Sequence, residues 1–140
     1  MLMSDRIAVM SGGHIHQFAS PEAVYNAPAT AFVADFVGQV NELSPAHPAL
    51  ALPVGGRAII RPERLRIGPA PEGALVFEGR LEELRFSGDT IFVHVASDAG
   101  LLIASRKNTG EALDLPIGSN LPLWCRTGDI VAFDAQGKSL

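Results

Sequence analysis

The stretch Ala74–Ser97, ALVFEGRLEELRFSGDTIFVHVAS, decides the fold class of this 140-residue chain. It contains two runs rich in β-forming residues, Ala74–Phe86 and Thr90–Ser97, and a Ser-Gly-Asp turn separates them. In the second run, isoleucine and valine alternate with phenylalanine and histidine, which is the period of two expected when one face of a sheet is buried. The stretch therefore predicts two strands joined by a turn.

Three more short β-rich runs follow, each after residues typical of a turn or loop: Leu101–Ser105, Leu121–Arg126 and Ile130–Phe133. Upstream, Arg57–Ile67 has the pattern of two strands or of a strand and a turn, interrupted at Pro62. Five or more short strands at a spacing of roughly 8–12 residues indicate a sandwich or a barrel. We therefore predict a mainly β chain with a small barrel in residues 57–135 and a tail in residues 136–140.

The first forty residues have a different pattern, that of a β-hairpin followed by two short helices. The hairpin is predicted from Arg6–Met10 and His14–Phe18 around a Ser-Gly-Gly turn, because glycine accepts positive φ without a Cβ clash. Ser20 starts the first helix, and Thr30 and Gly38 bound the second. The second helix is expected to place four residues on one apolar face: Phe32, Val33, Phe36 and Val37.

Residues 41–56, between these two parts, contain three prolines and two glycines among alanines and leucines. This composition predicts a linker that crosses into a new domain, with one short strand around Ala49–Leu52. The expected organisation is thus a hairpin and two helices in residues 1–40, a linker, and the barrel.

The composition argues against several classes of protein. Hydrophobic residues make up 47% of the chain and charged residues 19%, which favours a packed core over disorder. The net charge of -4 argues against a nucleic-acid binder, because binding the phosphate backbone requires a basic surface. The single cysteine, Cys125, excludes a disulfide within the chain, which suits a reducing compartment. No apolar run reaches the roughly 18–20 residues that span a bilayer, so a soluble cytoplasmic protein is expected.

The sequence lacks the common motifs of catalysis and of cofactor or metal binding. It contains neither G-x-x-x-x-G-K-[ST] nor G-x-G-x-x-G, no G-x-S-x-G and no Cys-x-x-Cys pair. His14 and His16 would point to the same side of a strand, but no third metal ligand is near them in sequence. We therefore predict no catalytic, cofactor-binding or metal site in this chain, and no enzymatic activity of its own.

Arg61, Pro62 and Glu63 form the most distinctive charged stretch. Proline cannot continue a central ladder of hydrogen bonds, so the strand must end or reach an edge here, and the two charges are expected to be exposed. One hypothesis gives Arg61 and Glu63 an inter-domain or inter-subunit contact. The other leaves an exposed strand end with a local ion pair worth less than about 1 kcal/mol. Because arginine forks match oxyanions, four arginines are also candidates for an anion site: Arg57, Arg61, Arg64 and Arg66.

These motifs together resemble one family. S-D-R-I-A-V-M-S-G-G-x-I-x-Q at Ser4–Gln17 and S-P-E-x-V-Y-x-x-P-A-T-x-F-V-A-D-F-V-G at Ser20–Gly38 are similar to the end of the ATP-binding subunit of ABC importers. I-I-R-P-E-R-L at Ile59–Leu65 is similar to the R-P-E motif of that family's C-terminal regulatory domain. Gly79–Phe133 looks like its transport-associated OB-type barrel. F-V-G-Q-V-N at Phe36–Asn41 is most similar to the subunits of spermidine/putrescine importers.

The resemblance implies that residues 1–40 are the C-terminal remnant of an α/β nucleotide-binding domain and that an OB-like regulatory barrel follows. The family's phosphate loop, signature motif, catalytic acid and switch histidine lie upstream of the matching positions. The chain is therefore expected to be a fragment of such a subunit, and ATP and Mg²⁺ are expected only in the full-length parent. Implied partners are a second copy of the subunit and membrane permease subunits, on the cytoplasmic face of the cell membrane.

Three functions follow as hypotheses. In the first, the barrel is a regulatory and dimerisation module, with unpaired hairpin edges and a candidate dimer face at Phe32 and Phe36. In the second, the barrel senses a small molecule or an oxyanion and so regulates transport. The third and least favoured is an OB-type nucleic-acid binder, which needs a basic groove with aromatic stacking platforms.

Overall fold

A computed structural model describes residues 6–110 and 114–140 of the chain. Helices α1 (Pro21–Asn26) and α2 (Ala31–Val37) follow the first two strands, and 3₁₀ turns occupy Pro62–Arg64 and Thr127–Asp129. The strands of this part are β1 (Ile7–Ser11), β2 (His14–Ala19), β3 (Asn41–Leu43), β4 (Arg57–Ile60), β5 (Arg66–Ile67), β6 (Leu75–Ser87), β7 (Thr90–Ser97), β8 (Gly100–Lys107), β9 (Asn120–Cys125) and β10 (Ile130–Phe133).

The β1–β2 hairpin forms as predicted, with Gly12 and Gly13 at its turn. Both glycines have positive φ, 57° and 79°, which is the combination that a type I′ turn requires. The strands pair antiparallel, with a register shift between Val9 and Met10. They form a two-stranded sheet of their own, so neither outer edge continues into another strand of the described chain.

Both helices begin where the sequence predicts. The hydroxyl oxygens of Ser20 and Thr30 accept hydrogen bonds from the backbone N–H groups of Ala23 and Val33, each at 3.2 Å. Each bond satisfies a donor that the first helical turn leaves free. Helix α2 stops at Gly38, as predicted, although this glycine has an extended φ of 167° and not a left-handed one.

The side chains of α2 are distributed differently from the prediction. Val33 is buried with Val9 and Val24 beneath the hairpin, whereas Phe32 and Phe36 are 38% and 68% exposed. The four predicted residues do lie on one side of the helix, but this face is buried at Val33 and exposed at Phe32 and Phe36. A separate cluster joins α2 to the barrel: Ala31, Ala34, Ile59 and Phe133. The helix is apolar on more than one side because it lies between the hairpin and the barrel.

Two antiparallel sheets build the barrel. One has the strand order β5-β9-β6-β7-β8 and the other β10-β4-β3. Side chains from both sheets share one core, which includes Leu43, Ile60, Phe77, Leu81, Val93, Leu102 and Leu123. The long strand β6 is bent by a register shift between Leu81 and Glu83, and bulges of this kind increase the twist of a sheet. The predicted mainly β, OB-like barrel is confirmed.

Strand β3 lies inside the predicted linker, and the strand predicted at Ala49–Leu52 is absent. The side chain of Asn41 on β3 is buried, and it binds both backbone groups of Ile103 on β8. Asn41 Nδ2 donates to the Ile103 carbonyl oxygen and Asn41 Oδ1 accepts from the Ile103 N–H, each at 2.8 Å. The Ser44 N–H also donates to the Ala99 carbonyl oxygen at 2.8 Å. These bonds join the outer edge of β8 to the smaller sheet.

The segment that was expected to form a strand instead folds over the barrel around His47. The His47 ring lies edge-on to Phe77 with 5.2 Å between the ring centroids. Its Nδ1 accepts from the Ala49 N–H at 3.1 Å, and its Nε2 lies 3.3 Å from a carboxylate oxygen of Asp98. Prolines on both sides of this segment remove the backbone donors that a strand ladder needs.

Replacing Asn41 with leucine is expected to lower the free energy of unfolding by about 2–3 kcal/mol, because the backbone groups of Ile103 lose their partners. Urea unfolding followed by the fluorescence of Trp124 measures the loss. The control is Asn108→Leu, since the side chain of Asn108 bonds only to exposed loop backbone. We expect the control to change stability by less than about 0.5 kcal/mol, and equal losses in the two variants would contradict the prediction.

Residues 134–140 return to the helices. The Ala31 N–H donates to the Gly137 carbonyl oxygen at 2.8 Å, and the Ser139 N–H donates to the Ala29 carbonyl oxygen at 3.0 Å. The backbone after β10 is thereby tied to the start of α2. The predicted tail is thus part of the contact between the helices and the barrel.

Candidate functional site

The charged residues that the sequence singles out lie on β4 and just after it. Strand β4 is the middle strand of its sheet, and Pro62 ends it, as predicted, by starting a 3₁₀ turn. Helices α1 and α2 pack against this part of the barrel. We call the contact between these two helices and the segment Arg57–Arg66 the helix–barrel junction.

Arg61 is the centre of this junction. Its guanidinium donates to the carbonyl oxygens of Ala34 at 3.1 Å, Gly38 at 3.0 Å, Gln39 at 3.2 Å and Tyr25 at 3.3 Å. It also lies over the Tyr25 ring, with 4.3 Å between the guanidinium carbon and the ring centroid. Arg61 is only 6% exposed, so the prediction that it is exposed is wrong.

The partners of Arg61 explain why an arginine is buried here. They are carbonyl groups in or just beyond the last turns of α1 and α2, where a helix leaves its acceptors without partners. A cation is also favoured at the C-terminal end of a helix, because the helix dipole is negative there. Since one planar guanidinium donates in several directions, Arg61 can bind the ends of both helices at once. Its partners belong to the same chain, and an inter-subunit contact stays a prediction.

Glu63 reaches the same tyrosine from the other side of Pro62. The Tyr25 hydroxyl donates a hydrogen bond to Glu63 Oε2. Partial burial of Tyr25, followed by the hydrogen bond and the negative charge of Glu63, raises the pKa of Tyr25 to about 12. Tyr25 therefore contacts Arg61 with its ring and Glu63 with its hydroxyl, and couples α1 to both charged residues.

The stability of the chain should fall at alkaline pH. The pKa of an unfolded tyrosine is near 10, whereas that of folded Tyr25 is about 12. The protonated hydroxyl of Tyr25 therefore stabilises the fold fully below pH 10, and this stabilisation is lost between about pH 10 and 12. Burial likewise raises the pKa of Cys125 from 9 to about 11. We expect the free energy of unfolding to decline above about pH 9, and less steeply in Tyr25→Phe. Urea unfolding at several pH values measures this, and identical profiles for the two proteins would contradict it.

Arg57 joins the junction at the other end of β4. Its guanidinium nitrogens lie 3.4 Å from the carboxylate oxygens of Asp35 on α2, and it also binds Glu42 on β3. The hydrogen bond to Glu42 outweighs the opposing effect of burial and raises the pKa of Arg57 above its usual value. Arg57 is therefore held between a helix and a strand of the barrel.

Arg64 and Arg66 converge on Asp129, which lies in the turn before β10. Arg66 Nη1 lies 3.1 Å and Arg64 Nη1 3.7 Å from its carboxylate oxygens. Arg66 also lies over the ring of Trp124, with 5.1 Å to the centroid. A second nitrogen of Arg64 donates to Asn26 Oδ1 at 3.3 Å, which adds another contact with α1.

The four arginines proposed for an anion site thus bind different groups of the chain and do not converge on one site. Arg57 binds two carboxylates, Arg61 binds carbonyl oxygens, and Arg64 and Arg66 share Asp129. A cleft of about 330 Å³ lies between α1 and the barrel, and its polar lining comes from Tyr25, Asn26, Arg61, Arg64 and Asp129. The side chain of Arg64 is 43% exposed, and it is the arginine of this cleft that a solute could most readily reach.

Phe32 and Phe36, the candidate dimer face, form an aromatic stack with His16 of the hairpin. The His16 and Phe32 ring centroids lie 4.5 Å apart, and those of Phe32 and Phe36 lie 5.9 Å apart. The hairpin presents three more exposed apolar side chains, Met10, Ile15 and Phe18. The structure therefore offers an apolar surface at the predicted face, and its use in a dimer stays a prediction.

Within residues 6–110 and 114–140, no group of three or more His, Cys, Asp or Glu side chains is placed to hold a metal ion. Cys125 is fully buried in the barrel core. Because burial raises the pKa of its thiol, Cys125 is poorly suited to act as a nucleophile.

Sequence reasoning missed two residues that build this site, Tyr25 and Asp129, and a third, Asn41, that joins β3 to β8. Tyr25 and Asp129 bind charged residues far away in the chain, so no local spacing reveals them. The residue type of Asn41 was the one usable signal, because an amide side chain carries both a donor and an acceptor and can bond to both backbone groups of a neighbouring strand. The proline-rich residues that follow concealed that strand.

The fold and the site define a class of protein, a small OB-type barrel to which a hairpin and two helices are attached through buried and paired arginines. Residues 58–133 match the family model of the TOBE domain. The chain belongs to the TOBE domain family.

The curated relatives extend the match into the helices and the hairpin. The spermidine/putrescine import ATP-binding protein PotA of Rubrobacter xylanophilus is 34% identical over 143 residues, covering 84% of this chain and 38% of that protein. PotA of Bacillus thuringiensis is 33% identical and covers 86% of this chain and 36% of its own. The sn-glycerol-3-phosphate import ATP-binding protein UgpC of Rhodopseudomonas palustris is 31% identical, and the match covers 99% of this chain and 44% of that protein. These matches confirm the resemblance to ATP-binding subunits of ABC importers.

The chain spans less than half the length of these relatives. Among solved structures, the cytoplasmic molybdate-binding protein ModG overlaps 55% of this chain and 60% of its own at a TM-score of 0.48 and 12% identity. This likeness is too slight to carry a functional inference. In the part of the chain that the structure describes, no helix has the length and apolar character needed to cross a membrane.

Proposed function

We propose that this chain is the C-terminal regulatory region of the ATP-binding subunit of an ABC importer for polyamines such as spermidine and putrescine. The helix–barrel junction is the observation that carries the proposal. Arg57, Arg61, Glu63 and Arg64 of the barrel each contact α1 or α2. In such a subunit these helices would belong to the end of the nucleotide-binding domain. The barrel would therefore move with them.

ATP and Mg²⁺ would be bound by the parts of the subunit that precede this region, and hydrolysis of the ATP would supply the energy for uptake. The residues of this chain would act by holding the helices against the barrel. Arg61 would hold the ends of both helices, and Glu63 would fix Tyr25 against it. A displacement of α1 or α2 would thus reach β4 and the barrel core. Regulation would follow if the barrel meets a partner that stabilises one arrangement of the subunit over another.

The proposed partners are membrane permease subunits and a second ATP-binding subunit, on the cytoplasmic side of the cell membrane. Support for self-association comes from the hairpin, whose outer edges pair with no other strand of residues 6–110 and 114–140, and from the exposed rings of Phe32 and Phe36. The acidic composition still argues against nucleic acid as a partner.

A chimera tests this function. The matching C-terminal region of the Rubrobacter xylanophilus protein is replaced by this chain, and spermidine uptake and ATP hydrolysis are measured with the cognate permease. We expect the chimera to retain both activities. A matched chimera that ends at Gln39 lacks the barrel. It should still bind ATP, but its spermidine uptake and ATP hydrolysis should differ from those of the chimera that contains the barrel. Equal uptake and hydrolysis with and without the barrel would contradict a regulatory role.

Sensing of an oxyanion or another small molecule remains the alternative, with less support. Arg57 and Arg61 are engaged by groups of their own chain, and Arg66 is paired with Asp129. Arg64, whose side chain is 43% exposed, is the arginine that a solute could reach in the cleft between α1 and the barrel. Calorimetric titration with molybdate, sulfate, spermidine and a sugar separates the two functions. Saturable binding that is lost in Arg64→Ala would favour sensing, and the absence of heat with all four would favour a purely mechanical role.

A further inference from the structure

The cleft of about 330 Å³ between α1 and the barrel is lined by apolar as well as polar residues. Pro28, Ile59 and Val131 form its apolar part. They come from three places in the fold: the loop after α1, strand β4 and strand β10. Pockets of roughly 300–1,000 Å³ that combine apolar side chains with a few polar groups are typical sites for small organic molecules. We call this space the junction cleft.

The charged residues that line the junction cleft carry one net positive charge. They are Arg61, Arg64 and Asp129. In the described part of the chain, the hydrogen-bond acceptors of Arg61 are carbonyl oxygens, which carry no net charge. The carboxylate of Asp129 is shared between Arg64 and Arg66, which lies 3.1 Å from it. The cleft therefore favours an anion with a single charge, because a second negative charge would be left facing Asp129 without a partner.

Arg64 is the residue of the cleft that is best placed to bind such an anion. Its side chain is 43% exposed, and its contacts with the rest of the chain are long. One nitrogen donates to Asn26 Oδ1 at 3.3 Å, and the other lies 3.7 Å from Asp129, which exceeds a hydrogen-bond distance. Since a guanidinium can bind a carboxylate through two parallel hydrogen bonds, Arg64 suits an anion of that shape.

The cleft also has unfilled space at Gly128, which is one of its lining residues. A Cβ atom at this glycine would meet nothing within 4 Å, and its backbone does not have positive φ. The chain therefore tolerates a larger side chain here, and a substitution at Gly128 can reduce the space for a ligand without displacing packed residues.

We propose that the junction cleft binds a small organic carboxylate, with the carboxylate on Arg64 and the apolar part of the ligand against Ile59 and Val131. An inorganic dianion such as sulfate would leave these apolar residues uncovered, and a polyamine would bring positive charge to two arginines. The ligand would contact α1 and the barrel together. Its effect on transport rests on the proposed function, whereas binding itself does not.

An NMR titration of the ¹⁵N-labelled 140-residue chain with phenylacetate tests the proposal. We expect saturable shifts of the amide signals of Asn26 and Gly128. The dissociation constant should be on the order of 1 mM, as for a ligand of about ten non-hydrogen atoms. Phenylacetamide keeps the ring without the charge, and sulfate keeps a charge without the ring. Each should bind at least about tenfold more weakly than phenylacetate.

Three variants locate the site. Arg64→Met removes the guanidinium and should weaken phenylacetate binding by at least about tenfold. Gly128→Leu adds a side chain to the lining of the cleft and should weaken binding to a similar extent. The control is Arg106→Met, which removes an exposed arginine of β8 that does not line the cleft, and it should change the affinity by less than about twofold. The melting temperature of each variant controls for folding.

The proposal would be overturned if phenylacetate gave no saturable shifts, or if Arg64→Met bound it as tightly as the unmodified chain. Equal affinities for phenylacetate and phenylacetamide would show that the carboxylate is not recognised, and equal affinities for phenylacetate and sulfate would show the same of the apolar part. Both comparisons use the unmodified chain, so they decide the matter even if a variant does not fold. Spermidine uptake by the chimera is a separate readout, so the failure of this site and the failure of the proposed function are distinguishable.

Discussion

Replacing Arg61 with methionine is expected to lower the free energy of unfolding by about 3–5 kcal/mol. Methionine keeps much of the volume but removes every donor, so carbonyl groups of both helices lose their partner inside the junction. Urea unfolding measures the total loss. Hydrogen exchange should show its location, because the amides of α1 and α2 should exchange faster than those of the barrel.

Two variants give this prediction its controls. Arg64→Met removes a side chain that is 43% exposed, and we expect it to cost less than about 1 kcal/mol. Arg61→Lys keeps the charge but loses the fork, so it should recover part of the stability and not all of it. If Arg61→Met were as mild as Arg64→Met, Arg61 would not be the residue that holds the junction.

Replacing Gly79 with alanine should be nearly as harmful, at about 2–3 kcal/mol. A Cβ atom at Gly79 would lie 2.4 Å from Cγ1 of Val95 and 2.9 Å from the carbonyl oxygen of Ala96. Val95 is fully buried and Ala96 contributes backbone, so neither can yield without moving β7 against β6. The loss should appear in urea unfolding and in the melting temperature.

The matched control is Gly128→Ala. A Cβ atom there would meet nothing within 4 Å, and the backbone of this glycine does not have positive φ. We expect it to change the free energy of unfolding by less than about 0.5 kcal/mol. A Gly79→Ala variant as stable as this control would mean that β6 and β7 can separate at this point without cost.

Local signals predicted most of the secondary structure. The glycines of the first hairpin, the hydroxyl caps at Ser20 and Thr30, and the break at Pro62 each act within a few residues, and each lies where the sequence placed it. The predicted linker is the exception, because its strand is β3 and not Ala49–Leu52. Only three residues long, Asn41–Leu43 has too little sequence for a period to show. Its strand conformation depends on pairing with β4 and on the bonds of Asn41 to β8.

Burial was harder to predict than secondary structure. Arg61 follows a buried strand and precedes a proline, which by itself indicates an exposed strand end. It is buried because the ends of two helices, whose carbonyl groups require donors, pack over it. In the same way, Phe32 and Phe36 are apolar, yet the small residues Ala31 and Ala34 make the contact with the barrel.

Turn residues, helix caps and alternating strands act over short distances, so the mainly β class, the hairpin, the two capped helices and the resemblance to importer ATP-binding subunits could all be predicted from the sequence. The roles of the charged residues depend on long-range packing and became clear from the structure. It places Tyr25 between Arg61 and Glu63, and Arg57 between a helix and a strand. These partners lie between 15 and 38 residues apart in the chain, and no local pattern specifies contacts over such separations.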